Sequence, residues 1–542
     1  MHKSIYLTFD IGTSALKTAL VAEDGTILAV DNAEYTFTTP RPGWVEMDPE
    51  TYWQAAVSGT RKVLQRSGVD RSAIAAIGFS SQGQTFVPVD AAGRPLYNAV
   101  VWLDERAADI ARDWESKWLP RDAYRAITGY PVVTPLLTAF KIAWFARNLP
   151  DICGAWKFLC LPDYLIFRMT GETFTDYTIA QTTGLYDIVS GQWAPELLSA
   201  AGVSVSQLPD VLKPGAVAGK LSGESAAELG LSPGVPVCVG ANDQLCGAVG
   251  AGNVREGIAT ETTGTALAVV ATTDELADDP GLTVGRHPMG EAFFAMPHAT
   301  TAGIVLKWLR DLCRQGESYE DFLSEVDKIP IGCDGLTALP HFCGTGSPDF
   351  RSDARGAFAG LTLGHTRTHL ARAVMEACCF LLRELLELVS MHGAAHTEGD
   401  LRSTTRATGE TFGRPSAGSG DPRTAREGDL RSAACGVRRP AHSRHGAASE
   451  VVRCLGGAAK SDLWLRMKAD VLGIHVERPR RSDAASLGAA LLAACGTGAF
   501  NSVKEASERW YRPGKVFEPD PARKEAYESA YERYLAVQER LY

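Results

Sequence analysis

The sequence predicts an α/β protein built as two related halves that face a shared cleft, and three observations carry that expectation. Tyr6 to Lys17 reads Tyr-Leu-Thr-Phe-Asp-Ile-Gly-Thr-Ser-Ala-Leu-Lys, an apolar strand ending in an acid, a glycine and two hydroxyl residues before a second strand begins. Ile258 to Val270 repeats the plan around a Gly264-Thr265 turn. At 542 residues the chain also exceeds what one hydrophobic core usually supports, so two domains are expected.

The first hairpin has the chemistry of an anion site. A positive φ at Gly12 is expected to bring the backbone close to a phosphate, with Thr13 and Ser14 adding hydroxyl donors. Asp10, at the strand end, suits a magnesium ion held through water. Glu23-Asp24-Gly25 then joins two apolar runs, so the first domain opens as an antiparallel meander. Asp48 before Pro49 predicts a helix start, with the helix running to about Gln65.

Ile74 to Ser80 reads as a short strand that ends at Ser81-Gln82-Gly83-Gln84-Thr85. Amides at Gln82 and Gln84 beside Gly83 suit a polyhydroxylated ligand, although a polar hairpin turn has the same composition. Asn98 to Arg106 reads as a strand delivering Trp102, Asp104 and Arg106 together, which fits sugar binding and equally a half-buried strand before a helix. Thr138 to Asn148, with Lys141 among aromatic residues, and Leu159 to Met169 read as helices, the former as core. Gly171 to Tyr186 contains the polar run Thr175-Asp176-Tyr177-Thr178.

Val237 to Gly240 is a buried-type strand that runs into Ala241-Asn242-Asp243-Gln244. Asp243, flanked by the amides of Asn242 and Gln244, is the candidate general base. Phosphoryl transfer to a hydroxyl needs an acceptor for its proton, a role worth roughly 10²–10⁴-fold. A helix N-cap aspartate reads the same way.

The second half, from about Asn253, contains helices over Gly303 to Arg310 and Thr366 to Ser390, with a strand at Leu336 to Pro340. His365, His369 and Glu376 have spacings that a metal can use, yet histidines near a helix start are more often solvated. Gly393 to Glu450 is rich in Arg, Gly, Ser and Ala, lacks Lys and shows no periodicity, which marks a low-complexity segment. A reading-frame excursion accounts for its abrupt borders; an Arg-rich nucleic-acid tether is the alternative. Order returns with a strand from Val451, a Gly456-Gly457 turn that lets a ring or phosphate approach a helix N-terminus, and a helix through Val471. A similar junction follows at Asp483 to Ala494. The tail from Arg512 is expected to form a surface helix.

Composition narrows the function classes. A net charge of −10 and a pI near 5.7 argue against a general nucleic-acid binder. Twelve scattered cysteines without C-x-x-C spacing suggest reduced thiols. No basic and apolar leader and no run of roughly 18 apolar residues is present, so a cytoplasmic protein without membrane contact is expected.

Taken together, these motifs resemble the FGGY family of carbohydrate kinases, within the larger group sharing the actin and Hsp70-type ATPase fold. Asp10-Ile-Gly-Thr-Ser14 resembles the family's first phosphate motif, Gly264-Thr265-Ala266 its second, and Leu455-Gly-Gly-Ala-Ala-Lys-Ser461 its adenosine motif. Gly356 to Leu361, followed by His369-Leu370 and Ala373-Val-Met-Glu376, resembles the family signature. Thr138 to Asn148 resembles the other signature, from which Leu136 departs. The resemblance implies two related ribonuclease H-like (actin-type ATPase) domains. The expected division is a sugar and phosphate domain at 1–252, an ATP-binding domain at 253–500 interrupted at 393–450, and a helical tail at 501–542.

It further implies ATP and Mg2+ as cofactors, with Asp243 as base and Asp10 holding the metal. ATP would meet Thr13, Ser14, Lys17, Gly264, Thr265, Gly456, Gly457, Ala458 and Ser461. The acceptor would meet Gln82, Gly83, Gln84, Trp102, Asp104, Asn242, Asp243 and Gln244. Xylulose kinases share Trp102-Leu-Asp-Glu-Arg106 but carry Met-His in place of Gly83-Gln84. Glycerol kinases carry Arg-Glu there and share Asp243-Gln244. The chain matches neither pattern; a ketopentose such as D-xylulose is the first expected substrate because neutral donors suit a neutral polyol, ahead of glycerol, erythritol or another sugar. A nucleotide-binding homologue without turnover is the rival, should the insertion displace the strand at Val451. The expected partner is a small sugar or polyol, with no nucleic acid and no membrane; a homodimer is left open.

Overall fold

The computed structural model describes residues 4–313, 315–393 and 449–542. The low-complexity stretch Gly393 to Glu450, apart from its ends, lies outside the described residues.

Two mixed sheets form the two domains, and they share one plan. In the first, strand Ile5–Ile11 pairs antiparallel with Ala15–Ala22, which continues into Ile27–Glu34. On its other side Ile5–Ile11 pairs parallel with Ile74–Ser81, which pairs parallel with Pro236–Cys238 and then reaches the antiparallel edge Val217–Lys220. In the second, Ile258–Thr263 pairs antiparallel with Leu267–Thr273 and parallel with Val451–Leu455. That strand pairs parallel with His475–Arg478, and Lys515–Phe517 closes the antiparallel edge. Val451–Leu455 is thus docked as a central strand, despite the insertion before it.

Local chemistry explains the elements. Helix Pro49–Ser67 starts where Asp48 accepts the Glu50 N–H and Pro49 needs no donor, and it ends at Gly68 with φ of 66°. It buries Tyr52, Trp53 and Val63 against the first sheet. The long helix Arg367–Gly393 buries Val374, Leu381 and Leu385 in the second core. Helix Ala484–Gly496, although late in the chain, packs on the first sheet: Leu487, Ala490 and Leu491 join Tyr6, Ala19 and Ala76 in one cluster.

Three local expectations are corrected. Asn98 to Arg106 is not one strand; only Ala99–Val100 pairs, and Trp102 to Arg106 is a turn. Asp104 causes this by accepting the Val45 and Arg106 backbone N–H groups, bonds that compete with a strand ladder. Leu159 to Met169 is not wholly helical. Lys157–Cys160 is a strand against Phe86–Val89, and the helix Leu161–Thr170 begins beside Pro162, which has no N–H to give a helix interior. The C-terminal helix Lys524–Leu541 is not purely a surface element: Tyr527, Tyr531 and Tyr534, at helical spacing, are buried, the last two against Phe380.

The second domain carries a fully buried ion pair. Lys468, on helix Asp462–Leu472, donates to Glu261 and, at 3.0 Å, to Thr263 Oγ1, while Thr263 donates to Glu261 at 2.6 Å. Burial pulls the Lys468 ammonium down, and Glu261 more than offsets this, holding it above its usual range. Removing one partner strands the other in the core. Lys468→Met is expected to cost about 3–5 kcal/mol, and Lys468→Met with Glu261→Gln less than the single change. Denaturant unfolding of the three proteins measures this; a double variant weaker than the single one would contradict it.

Candidate active site

Three strand ends lie side by side in the first sheet. In register, Asp10 faces Ser80, Ala241 faces Ser80 from the other side, and Asn242 faces Ser81. This brings Asp10, Gln82 and Asp243 to the carboxyl ends of neighbouring parallel strands, where open α/β sheets bind ligands.

Asp243 opens helix Asp243–Gly250. The helix cap is its neighbour: Asn242 Oδ1 accepts the Gln244 N–H at 3.1 Å, and the same N–H reaches Asp243 Oδ1 at 2.8 Å. Burial, then the charge of Asp10, push the Asp243 carboxyl up to about 7, against the pull of the Gln244 N–H. Burial also raises Asp10, although Ser80 Oγ donates to it at 2.8 Å and Lys17 pulls it down. Two half-buried carboxylates in repulsion favour a cation. Among the described residues no three His, Cys, Asp or Glu side chains gather around a point, so such an ion would take its remaining ligands from water and substrate. His365 and His369 do not meet Glu376: they accept the Thr362 and Thr366 N–H groups, while Glu376 binds Arg372 and the Gly332 N–H.

The first turn is not built on a positive φ at Gly12. Glycine keeps the turn tight: a Cβ would lie 3.1 Å from Ala15 O, the oxygen to which the Gly12 N–H donates at 2.9 Å. Gly12 O accepts Tyr35 Oη at 2.6 Å and Gln82 Nε2 at 3.1 Å. Thr13 Oγ1 donates to Gln82 Oε1 at 3.2 Å and accepts Trp102 Nε1 at 2.8 Å. The amide of Gln82 is therefore spent on the turn. Ser14 is exposed, and Lys17 pairs with Asp483 at 2.8 Å.

The second turn stands in the open. Gly264 and Thr265 are exposed, the Gly264 N–H closes on Ala266 O, and Thr265 O takes the Ala302 N–H. Gly456, with φ of 74°, turns the chain at the end of Val451–Leu455, and Gly457 is exposed with nothing near its Cβ position. Ala458 lies in a short 3-10 turn, and Ser461 caps helix Asp462–Leu472 by accepting the Trp464 N–H.

On the acceptor side, Gly83 packs where a Cβ would fall 2.6 Å from the Thr182 side chain. Gln84 holds a φ of 63°, rare for a residue with a side chain. Asp104 is set apart from this group. Fully buried, it takes donors from Val45 N, Arg106 N, Arg106 Nε and Arg106 Nη2, so it braces the Trp102 turn from behind. Arg106 also binds Glu46 and lies 3.9 Å over the Trp44 ring.

Residue patterns did not single out three supports. Tyr35 and Ser80 look like ordinary strand residues. Lys141 donates to Val101 O, Trp102 O and Leu136 O, while burial lowers it to about 7. Its signal was a lysine within an otherwise apolar helix face.

The comparisons with known proteins agree with this construction. Residues 5–250 match the N-terminal domain model of the FGGY family of carbohydrate kinases, and residues 259–497 match its C-terminal domain model. The chain is 28% identical to the xylulose kinase of Bacillus subtilis, covering 97% of this chain and 95% of the other. It is 30% identical to the glycerol kinase of Methylibium petroleiphilum, covering 93% of each. Among solved structures, the xylulose kinase from Rhodospirillum rubrum superposes with a TM-score of 0.81 at 26% identity, over 99% of this chain and 98% of that one. Glycerol kinase from Plasmodium falciparum with ADP superposes with a TM-score of 0.80 at 22% identity, over 99% and 98%. With both halves matched by the family's own domain models, the chain belongs to the FGGY family of carbohydrate kinases.

Proposed function

We propose that this carbohydrate kinase transfers the γ-phosphoryl group of ATP to a hydroxyl of a small neutral sugar or polyol, D-xylulose first, with Asp243 as the general base. The observation that carries the reading is the place of Asp243: first residue of a helix, at the end of three parallel strands, with a carboxyl held up to about 7. A base poised there is about half ionised at neutral pH, and its carboxylate form takes the proton of an incoming hydroxyl.

The other parts follow from what each turn offers. Thr13, Ser14 and Thr265 would offer backbone N–H groups, and Ser14 and Thr265 also hydroxyls, to phosphate oxygens, with Gly264 turning the chain beside them. The turn Gly456 to Ala458 and the hydroxyl of Ser461 border the adenosine. Asp10 would hold magnesium through water, and the bound ion would neutralise charge on the transferred group. Lys17, paired with Asp483, sets the edge of the phosphate site. Trp102 and the side chains of Gln84, Asn242 and Gln244 meet the acceptor, and they bring no charge. That neutrality, with relatives named xylulose kinase matching over nearly the whole chain, favours a ketopentose over an acidic sugar. No helix among the described residues is long and apolar enough to cross a membrane, in keeping with cytoplasmic work on a soluble substrate.

ADP release with magnesium and ATP is expected to rise with D-xylulose above aldoses, glycerol and erythritol; stimulation by glycerol alone would move the substrate assignment. Asp243→Asn is expected to lower turnover by at least about 10²-fold while leaving ATP binding intact, and near-normal turnover would refute the base. The same variant tests the burial of that charge. A carboxyl raised from 3.8 to about 7 binds more protons folded than unfolded across that window, so its contribution to stability falls as pH rises through it. Asp243→Asn is therefore expected to raise the melting temperature of the unliganded protein, more at pH 8 than at pH 5.

A further inference from the structure

The polar run Thr175 to Thr178 has no part in the chemistry so far, yet it begins the helix Tyr177–Thr182, which touches both sides of the acceptor site. Thr178 Oγ1 accepts the backbone N–H of Asn242 at 2.8 Å, in the peptide just before the base. Thr182 Oγ1 accepts the backbone N–H of Gln84 at 3.1 Å. Residues four apart lie on one helix face. One helical turn therefore spaces the base turn from the acceptor turn.

Each hydroxyl is itself oriented. Thr178 donates to Asp176 Oδ1, which also takes the Thr178 and Ile179 N–H groups. Thr182 donates to Ile179 O at 2.7 Å. With their protons given away, both oxygens present lone pairs to the two turns. Thr178, Thr182 and Asp176 are 2%, 6% and 2% exposed, so water does not replace these acceptors. The Gln84 turn also needs holding, because Gln84 adopts a φ of 63°; Thr182 takes its N–H and Thr138 Oγ1 donates to its carbonyl at 2.8 Å.

The helix is fastened to the second domain as well. Gln181 Nε2 donates to Val284 O at 2.7 Å and Tyr177 Oη donates to His287 O at 2.8 Å, while the second Gln181 Nε2 bond, to Thr128 O at 3.1 Å, stays within the first domain. A Cβ on Gly285 would fall 2.1 Å from Gln181 Oε1, so only glycine admits this contact.

We propose that Thr178 and Thr182 are positioning residues that set the distance between the Asp243 carboxylate and the acceptor held by the Gln84 turn. The proposal rests on the reading of Asp243 as base and of the Gln84 turn as acceptor site. Losing the Thr178 hydroxyl frees the peptide before the base, so turnover falls while acceptor binding stays. Losing the Thr182 hydroxyl relaxes the acceptor turn, so acceptor KM rises.

The test uses the full chain, with Thr178→Val, Thr178→Ser, Thr182→Val, Thr182→Ser and Asp243→Asn, assayed with whichever of D-xylulose and glycerol the wild type phosphorylates. Misplacement by about 1 Å costs up to about 10²-fold, so Thr178→Val is expected to lower kcat by about tenfold or more with acceptor KM within about twofold. Thr182→Val is expected to raise acceptor KM by about tenfold, and both serine variants to stay near wild type. Amide hydrogen exchange, which needs no substrate, should quicken over 242–244 in Thr178→Val and over 83–85 in Thr182→Val. Thr178→Ala and Thr182→Ala take the place of a valine variant that does not fold. Valine variants with wild-type kcat, KM and exchange, or serine variants as impaired as valine ones, would overturn the proposal. An active Asp243→Asn would instead overturn the reading of the base, and exchange would still report whether the hydroxyls hold the two turns.

Discussion

Close backbone approaches hold the helix that begins with Asp243, and the site depends on them. A Cβ on Gly250 would fall 1.9 Å from Ala484 O, and one on Gly488 2.0 Å from Cys246 O, so helices Asp243–Gly250 and Ala484–Gly496 meet backbone to backbone. Gly78 meets Ala489 O and Gly240 meets Phe79 O in the same manner. Leu245 and Ala248 face the other way, onto Val270 and Phe294 of the second sheet. The helix is thus wedged between the domains, and any side chain at those glycines would displace the residue at its first turn. Small residues here are the condition for setting a carboxylate against two sheets at once, and packing at interior density leaves little room to adjust.

That placement carries an electrostatic cost which the fold relieves only in part. Lys17 stands opposite Asp10 in register and lowers its carboxyl, but extends to Asp483, tying the first hairpin to the start of helix Ala484–Gly496. Asp10 and Asp243 remain half-buried, and the charge of Asp10 raises Asp243. Stability would be served by neutralising one of them; the proposed phosphoryl transfer would not, since it would need a cation and a proton accepted there.

Much of this was legible in the sequence because strand, glycine and hydroxyl recur in order. Both hairpins, the Asp48-capped helix and the strand that begins at Val451 follow from short-range patterns. Three things were not legible, for physical reasons. The bonds that turn Trp102 to Arg106 come from Asp104 reaching Val45, far away in sequence. Gln82 reads as a ligand amide because composition does not show that Gly12 and Thr13 already use it. Tyr527, Tyr531 and Tyr534 sit in a polar stretch, and the face that buries them comes from distant elements, the long helix Arg367–Gly393, the strand Thr337–Leu339 and the helix Asp462–Leu472.

The two domains repeat one topology but not one charge pattern, and the difference assigns their roles. At the position where the first domain has Asp10 between Lys17 and Ser80, the second has Thr262 between Ala268 and Leu455. Its acid, Glu261, lies one residue earlier and points into the core, where Lys468 and Thr263 satisfy it. The second turn therefore reaches the surface with the acid of its own strand already paired in the core, so that in the proposed reaction Thr265 would meet phosphate without repulsion from Glu261. On that reading, an acid retained in the first domain and neutralised in the second would place cation and proton chemistry on one side of the cleft. The other side would then hold an anion by backbone and hydroxyl donors.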